Sequence, residues 1–185
     1  MTKFASRAGE KLQFALDSFR VSPKELICAD FGCSTGGFTD CLLQNGATKV
    51  YAIDTAYGEL AWTLRNDSRV VVLERTNALF VNLPEKMDLI TVDTGWTKQS
   101  FILPSVLNNL KVNGTIISLI KPHYEAPKEY IRKGRLMDEK TEEILTKVKK
   151  DIEALNLEIK GMVESPILGE KGKNREFLAY LVQKK

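Results

Sequence analysis

The chain has 185 residues, 43% of them hydrophobic and 28% charged, which is enough apolar material for a core around a central sheet without disulfides or metal. No glycine- or proline-rich block points to disorder or a fibrous repeat, and a formal net charge of +3 is too small to signal nucleic-acid binding by itself. The longest apolar runs, such as residues 115–120, fall far short of the roughly 20 residues that cross a bilayer, and residues 1–7 lack the apolar stretch of a secretory signal, so a cytoplasmic location is expected. Taken in chain order, the first predicted element is a helix over Ala8–Phe19, where Leu12, Phe14, Ala15, Leu16 and Phe19 fall at near-helical spacing. Val- and Ile-rich runs at 25–31, 49–54, 70–74, 88–93 and 114–121 read as strands. Between them, 36–45, 59–66 and 100–110 read as helices, stopped by turns such as Asn45-Gly46, Asn66-Asp67 and Asn113-Gly114. This alternation predicts an α/β fold, a mostly parallel central sheet with helices on both faces.

After Lys121 the pattern changes. A polar stretch containing Pro122 and Pro127 leads into a charged amphipathic helix over 138–155, and two further strands, 157–164 and 176–183, are expected to close the sheet with an antiparallel C-terminal edge. No internal repeat and no composition break divides the chain, so residues 1–185 read as one domain. The excess positive charge lies C-terminal, in two clusters: Lys128, Arg132, Lys133 and Arg135, then Lys171, Lys173 and Arg175. Such a patch suits a phosphate backbone but equally suits solvated surface.

The densest signal is the loop Asp30-Phe31-Gly32-Cys33-Ser34-Thr35-Gly36-Gly37, followed by Phe38. In an open parallel sheet, ligands bind beyond the carboxyl ends of strands, and glycines let the backbone turn sharply and come close to them. Asp54 follows Gly32 by 22 residues at the end of the next strand, near the offset at which a carboxylate receives ribose hydroxyls. Together they predict an adenosine-containing ligand. A dinucleotide loop spaces its glycines G-x-G-x-x-G; here Gly32-x-x-x-Gly36-Gly37 lacks the second glycine and Asp30 stands just before the loop, which favours S-adenosylmethionine (SAM).

Asp93 and Lys121 each end an apolar strand and should project toward the same edge. Charges there need partners, so either a structural ion pair or chemistry explains them. Cys28, Cys33 and Cys41 have neither CxxC nor zinc-ligand spacing and read as reduced packing or loop residues. His123 is the sole histidine, better suited to a hydrogen-bonding loop than to a metal. Trp62, with Leu60 and Leu64, reads as core. Trp96 is open to two readings, packing under a loop or stacking on an RNA base.

Several motifs now appear in one order: Ser6-Arg7-Ala8-Gly9-Glu10-Lys11-Leu12, the loop with Phe38-Thr39-Asp40, Ala56-Tyr57-Gly58-Glu59-Leu60-Ala61-Trp62, and Glu74-Arg75-Thr76-Asn77. Leu119-Ile120-Lys121-Pro122 with Glu125-Ala126 follows, then Ser165-Pro166-Ile167 with Gly172, Asn174 and Glu176-Phe177-Leu178. From about Ser6 to Leu181 the chain resembles the hemolysin-A (TlyA) type of RNA methyltransferase, within the FtsJ-like group. The resemblance implies a Rossmann-like, SAM-dependent fold and methyl transfer to a ribose 2′-hydroxyl of RNA, with ribosomal RNA or a ribosomal subunit as partner through the basic clusters. It implies a catalytic tetrad of Lys11, Asp93, Lys121 and Glu176, in which Lys121 is the base with its pKa depressed by Lys11, and Asp93 and Glu176 orient the ammonium groups and ribose. It also implies that Asp54 holds the cofactor ribose, that Gly32, Cys33, Ser34, Thr35, Gly36 and Gly37 surround its methionine part, and that Asn77 lies near the adenine. On the residues alone, Asn77 could equally cap a turn, and Glu176 could be an exposed strand carboxylate paired with Lys171 or Lys173.

The sequence departs from the family pattern twice. Relatives of this type carry an S4-like RNA-binding domain before the Ser-Arg-Gly-type motif, whereas five residues precede Ser6 here, so the expectation is an excised domain or a short form. After Asp93 the family continues Val-Ser-Phe-Ile-Ser, and this chain has Thr94-Gly95-Trp96-Thr97-Lys98. A SAM- or RNA-binding module without turnover is therefore an alternative. A membrane-lytic protein, suggested by the hemolysin name, lacks any apolar span or basic amphipathic helix of the kind it would need.

Overall fold

Successive residues of a strand point to opposite faces, so a sheet covered on both sides needs apolar side chains at nearly every position. The runs Ile27–Phe31 and Met87–Val92 meet that requirement. A computed structural model describes residues 3–170 and 172–184. In chain order its elements are α1 (Ala8–Phe19), β1 (Ile27–Phe31), α2 (Gly37–Gln44), β2 (Lys49–Ile53), α3 (Trp62–Arg65), β3 (Val70–Leu73), β4 (Met87–Val92) and α4 (Gln99–Asn109). They continue with β5 (Leu110–Ile120), α5 (Pro122–Glu125), β6 (Ile131–Arg132), β7 (Arg135–Leu136), α6 (Thr141–Glu153), β8 (Leu157–Glu164) and β9 (Phe177–Gln183). Seven strands form one sheet in the order β3-β2-β1-β4-β5-β9-β8. The first five are parallel, and β9 and β8 add the antiparallel edge.

The period of two assigns the core. Ala29 and Phe31 of β1, Ile90 and Val92 of β4, and Ile116 and Ile120 of β5 pack on one face against Ile102 and Val106 of α4 and Val148 and Ile152 of α6. Cys28, Leu89, Ile117 and Leu119 face the other way, onto Leu12, Ala15 and Leu16 of α1 and Phe38 and Leu42 of α2. The chain order reverses at β1, whose neighbours are β2 and β4, so the crevice beyond β1 and β4 is the topological switch point where such sheets bind ligands.

Three local expectations change. The segment predicted as helix over 59–66 is helical only at Trp62–Arg65, and Trp62 is 75% exposed; Leu60 and Leu64 supply the buried contacts instead. Asn113-Gly114 is not a turn between elements but part of β5, which starts directly after α4 and absorbs a register shift opposite Met87 and Leu89. The polar stretch after Lys121 contains a one-turn helix, α5, and a small β6–β7 hairpin.

Candidate active site

A cavity of about 650 Å³ opens at the carboxyl ends of β1 and β4. Its floor is the glycine loop. The N–H groups of Gly32 and Cys33 both donate to the Ile53 carbonyl, at 2.9 and 3.0 Å, tying the end of β1 to the end of β2. Gly32 has φ +91°, and a Cβ there would meet the Asp93 carbonyl oxygen at 2.7 Å, so both conformation and space demand glycine. Gly36, at φ +98°, does not line the cavity: a Cβ on it would run into the Leu64 and Leu60 side chains. Asp54 stands at the rim of the loop. Its Oδ2 accepts from the Ser34 N–H at 2.8 Å and its Oδ1 from the Ala56 N–H at 2.9 Å, which fixes the carboxylate while each oxygen keeps a further acceptor site. Such a pair of acceptors fits the adjacent hydroxyls of a ribose. Asn77 also lines the cavity, with its Oδ1 accepting from the Leu79 N–H at 3.0 Å. It therefore caps a turn and keeps its amide N–H₂ group for a ligand. The donor and acceptor set fits an adenosine cofactor.

Asp30, expected among the cofactor residues, lies elsewhere. It is 0% exposed and does not line the cavity; Thr39 Oγ1 and Thr91 Oγ1 donate to its carboxylate at 2.8 and 3.0 Å. As the penultimate residue of β1 it shares the pleat of Cys28 and points under α2. Burial pushes its pKa up to about 7, against the two threonine hydrogen bonds. Cys33 and Phe38 line the cavity but are buried, and burial also raises the Cys33 thiol, as suits a packing residue.

Beside the loop stand two lysine–carboxylate pairs. Lys11, from α1, places Nζ 2.6 Å from Oε2 of Glu176, just before β9, with side chains only 9% and 5% exposed. Lys121 Nζ lies 2.6 Å from Asp93 Oδ1, with side chains 15% and 18% exposed. Asp93 follows the last residue of β4 and Lys121 the last residue of β5, so neighbouring parallel strands deliver them to one edge. Burial pulls the Lys121 ammonium down, but Asp93, and Glu176 behind it, push it further up, and its pKa is raised above the usual lysine value. That reverses the depressed value expected from a neighbouring cation: Lys11 is engaged by Glu176. Glu176 is likewise not an exposed strand carboxylate. His123, in α5, lines the same cavity; burial, then Lys121 and Lys11, lower its pKa to about 4, so it is neutral at physiological pH. Its Nδ1 is buried and has no hydrogen-bond partner among the described residues, which departs from the hydrogen-bonding role expected of it. No group of metal-ligating side chains occurs among the described residues.

Glycine loop, Asp54 and paired lysines sit in one crevice of a doubly covered parallel sheet, and a family model described as FtsJ-like methyltransferase matches residues 4–182. The chain belongs to this family. Over 97% of its length it is 43% identical to the candidate rRNA methyltransferase YqxC of Bacillus subtilis, covering 66% of that protein. It is 36% identical over 95% of its length to the 16S/23S rRNA (cytidine-2′-O)-methyltransferase TlyA of Mycobacterium tuberculosis, covering 67% of it. The chain thus spans about two thirds of the length of these curated relatives. A solved structure of a candidate hemolysin from Streptococcus thermophilus superposes with a TM-score of 0.95 at 35% identity, over 100% of this chain and 69% of that one. At the level of fold alone, a candidate SAM-dependent methyltransferase from Listeria monocytogenes and a SAM-dependent methyltransferase from Mesorhizobium loti align with TM-scores of 0.69 and 0.68 at 16% and 17% identity.

In this FtsJ-like chain the segment that departs from the family pattern, 94–98, borders the cavity through Thr94, Gly95 and Thr97. Trp96, at φ 57° and 80% exposed, is not packed under a loop; its ring stands 4.8 Å from that of Tyr124. Lys128, Arg132, Lys133, Arg135 and Lys173 are exposed, and Arg175 partly so; Arg135 pairs with Asp138 and Arg175 with Glu164, while Lys171 lies outside the described residues. Sequence reasoning missed Gly169 and Glu170, which also line the cavity. They carry no motif of their own, and only their position shortly before Glu176 could have pointed to them.

Proposed function

We propose that the chain transfers a methyl group from SAM to a ribose 2′-hydroxyl of RNA, with ribosomal RNA as the substrate. The observation that carries this reading is the presence of two lysine–carboxylate pairs, each at 2.6 Å, in the same cavity as the glycine loop and Asp54. Asp54, the loop from Gly32 to Gly37 and Asn77 would hold SAM, which supplies a methyl already activated by its sulfonium. What remains for the protein is to place a hydroxyl oxygen in line and take its proton as attack proceeds. Lys121 is placed to accept that proton. Because Asp93 holds it as an ammonium, the neutral amine is a minor species at neutral pH, and turnover draws on that fraction. Asp93 orients Lys121, while Lys11 and Glu176 set a second cation and carboxylate beside the ribose. Lys128, Arg132, Lys133 and Lys173 supply charge for the RNA backbone, and the cytidine-2′-O activity named for the M. tuberculosis relative supports the substrate class.

The test is incubation with methyl-labelled SAM and either ribosomal subunits or naked ribosomal RNA. The label should enter a ribose, where it blocks alkaline cleavage at the neighbouring phosphodiester, and Lys121→Ala should remove it. SAM binding by calorimetry with no label in any RNA pool would favour a binding module instead, and transfer that survives Lys121→Ala would sink the mechanism. Among the described residues, no helix is long and apolar enough to cross a membrane.

A further inference from the structure

The two basic clusters meet in space. The β6–β7 turn is built on Lys133 and Gly134 at φ 49° and 77°, the backbone of a tight two-residue hairpin turn, and it exposes Arg132 and Lys133. Asn174, itself only 3% exposed, clamps this hairpin: its Nδ2 donates to the Gly134 carbonyl at 2.9 Å, and its Oδ1 accepts from the Leu136 N–H at 2.9 Å. Gly172 lies so close that a Cβ on it would come within 2.6 Å of the Gly134 oxygen. The same asparagine closes the loop in front of β9. Its backbone carbonyl accepts from the Gly169 N–H at 2.9 Å, and a Cβ on Gly169 would fall 2.7 Å from Oε1 of Glu176. One buried side chain thus joins a cationic turn to the loop that walls in a carboxylate of the cavity. No residue of the hairpin lines the cavity itself.

Arg135 and Arg175 are neutralised by neighbouring carboxylates, whereas Arg132, Lys133 and Lys173 have no ion-pair partner among the described residues. Three unspent cations around a two-residue turn match phosphodiester groups, contacts that fix register rather than read sequence.

We propose that Asn174 is a positioning residue that couples RNA seating to the catalytic pair: phosphates on Arg132, Lys133 and Lys173 fix the hairpin, and Asn174 passes that order to residues 169–170 and 172–176, so that Glu176 is held in its working position when RNA is seated. This rests on the reading of the chain as an RNA methyltransferase. A double-mutant cycle tests it, using Arg132→Ala with Lys133→Ala as one change and Asn174→Ala as the other, with methyl transfer to ribosomal subunits measured at saturating RNA and SAM. Each change should lower kcat by about tenfold, the scale of a small misplacement at a reacting centre, and together they should cost no more than Asn174→Ala alone. SAM affinity by calorimetry should not move. Multiplicative losses in kcat, or a hairpin variant that raises only KM, would overturn the coupling. If Asn174→Ala loses its cooperative melt, Asn174→Asp takes its place with the same expectation; it keeps the acceptor for Leu136 and loses the donor to Gly134. Should the wild type transfer no methyl, the functional reading fails, and hydrogen exchange still judges the clamp. Purified ribosomal RNA should slow exchange over 169–176 in the wild type and not in the Asn174 variant. Exchange unchanged by RNA overturns the coupling, and equal slowing by polyglutamate of matched charge would reassign the surface to an acidic polypeptide.

Discussion

Removing Lys11 and Glu176 one at a time and then together separates a structural ion pair from a chemical one. Their contact is 2.6 Å and both side chains are nearly sealed from water, at 9% and 5% exposure. Lys11→Met leaves the Glu176 carboxylate buried without its cation, and Glu176→Met strands the ammonium. Breaking such a pair from one side costs about 3–5 kcal/mol, whereas replacing both members by apolar groups of similar size is often neutral or stabilising by about 1–4 kcal/mol. For a chain of this size, each kcal/mol moves the melting temperature by about 2–4 °C, so either single variant should melt roughly 6–20 °C lower, and the double variant close to the wild type. Activity should not follow stability. If the pair orients the ribose, the double variant should lose methyl transfer by a factor of about 10²–10⁴ while staying folded, since removing a positioned polar group at a reacting centre has that order of effect. Denaturant unfolding at pH 7 and initial-rate transfer to ribosomal subunits measure the two quantities on the same preparations. A folded double variant with near wild-type turnover would refute the catalytic assignment. Single variants within about 1 kcal/mol of wild type would refute the buried pairing itself.

Two further outcomes follow from the shifted groups. Because Asp93 raises the pKa of Lys121, log kcat for methyl transfer should climb with a slope near one from about pH 6.5 to about pH 9 without a plateau, and Asp93→Asn should make the profile bend over at lower pH than in the wild type, at a lower maximal rate; a flat wild-type profile would remove Lys121 as the base. Asp30 keeps its proton in the folded chain up to about pH 7 but releases it near 3.8 when unfolded, so the stability tied to that proton is present below 3.8 and lost as pH rises through 7. Over about three units this amounts to about 4 kcal/mol, and Asp30→Asn, neutral throughout, should be more stable than wild type at pH 8 by up to that amount and nearly equal to it at pH 4; denaturant midpoints showing the same difference at both pH values would contradict the buried ionisation.

What was legible in the sequence, and what was not, follows from how far each signal reaches along the chain. Strand periodicity is local, so the sheet, its antiparallel edge and the glycine loop could all be read. Asp93 and Lys121 were legible for the same reason, because each stands one residue past an apolar strand. Asp54 does too, one past Ile53. Asp30 looked alike and is not: it is one residue before the end of β1, and that single step in the pleat turns it under α2 rather than into the cavity. Lys11 and Glu176, 165 residues apart, share no local pattern and were found only through resemblance. Trp62 was misjudged because a four-residue helix buries one side chain in four, here Leu64. The clamp of Asn174 on Gly134 joins residues 40 apart by a side-chain amide donating to a backbone carbonyl, which no pattern of side chains along the chain encodes.

The two lysine–carboxylate pairs are not equivalent in their surroundings. Lys11 and Glu176 make a well-directed hydrogen bond in the more enclosed position, so the charge of each is spent on the other. Lys121 and Asp93 lie equally close but in a less enclosed position, with side chains 15% and 18% exposed, and Lys121 also reaches the Thr94 carbonyl at 3.5 Å. In the mechanism proposed above, proton removal falls to the less enclosed outer pair, and the sealed inner pair would hold the geometry in which it occurs.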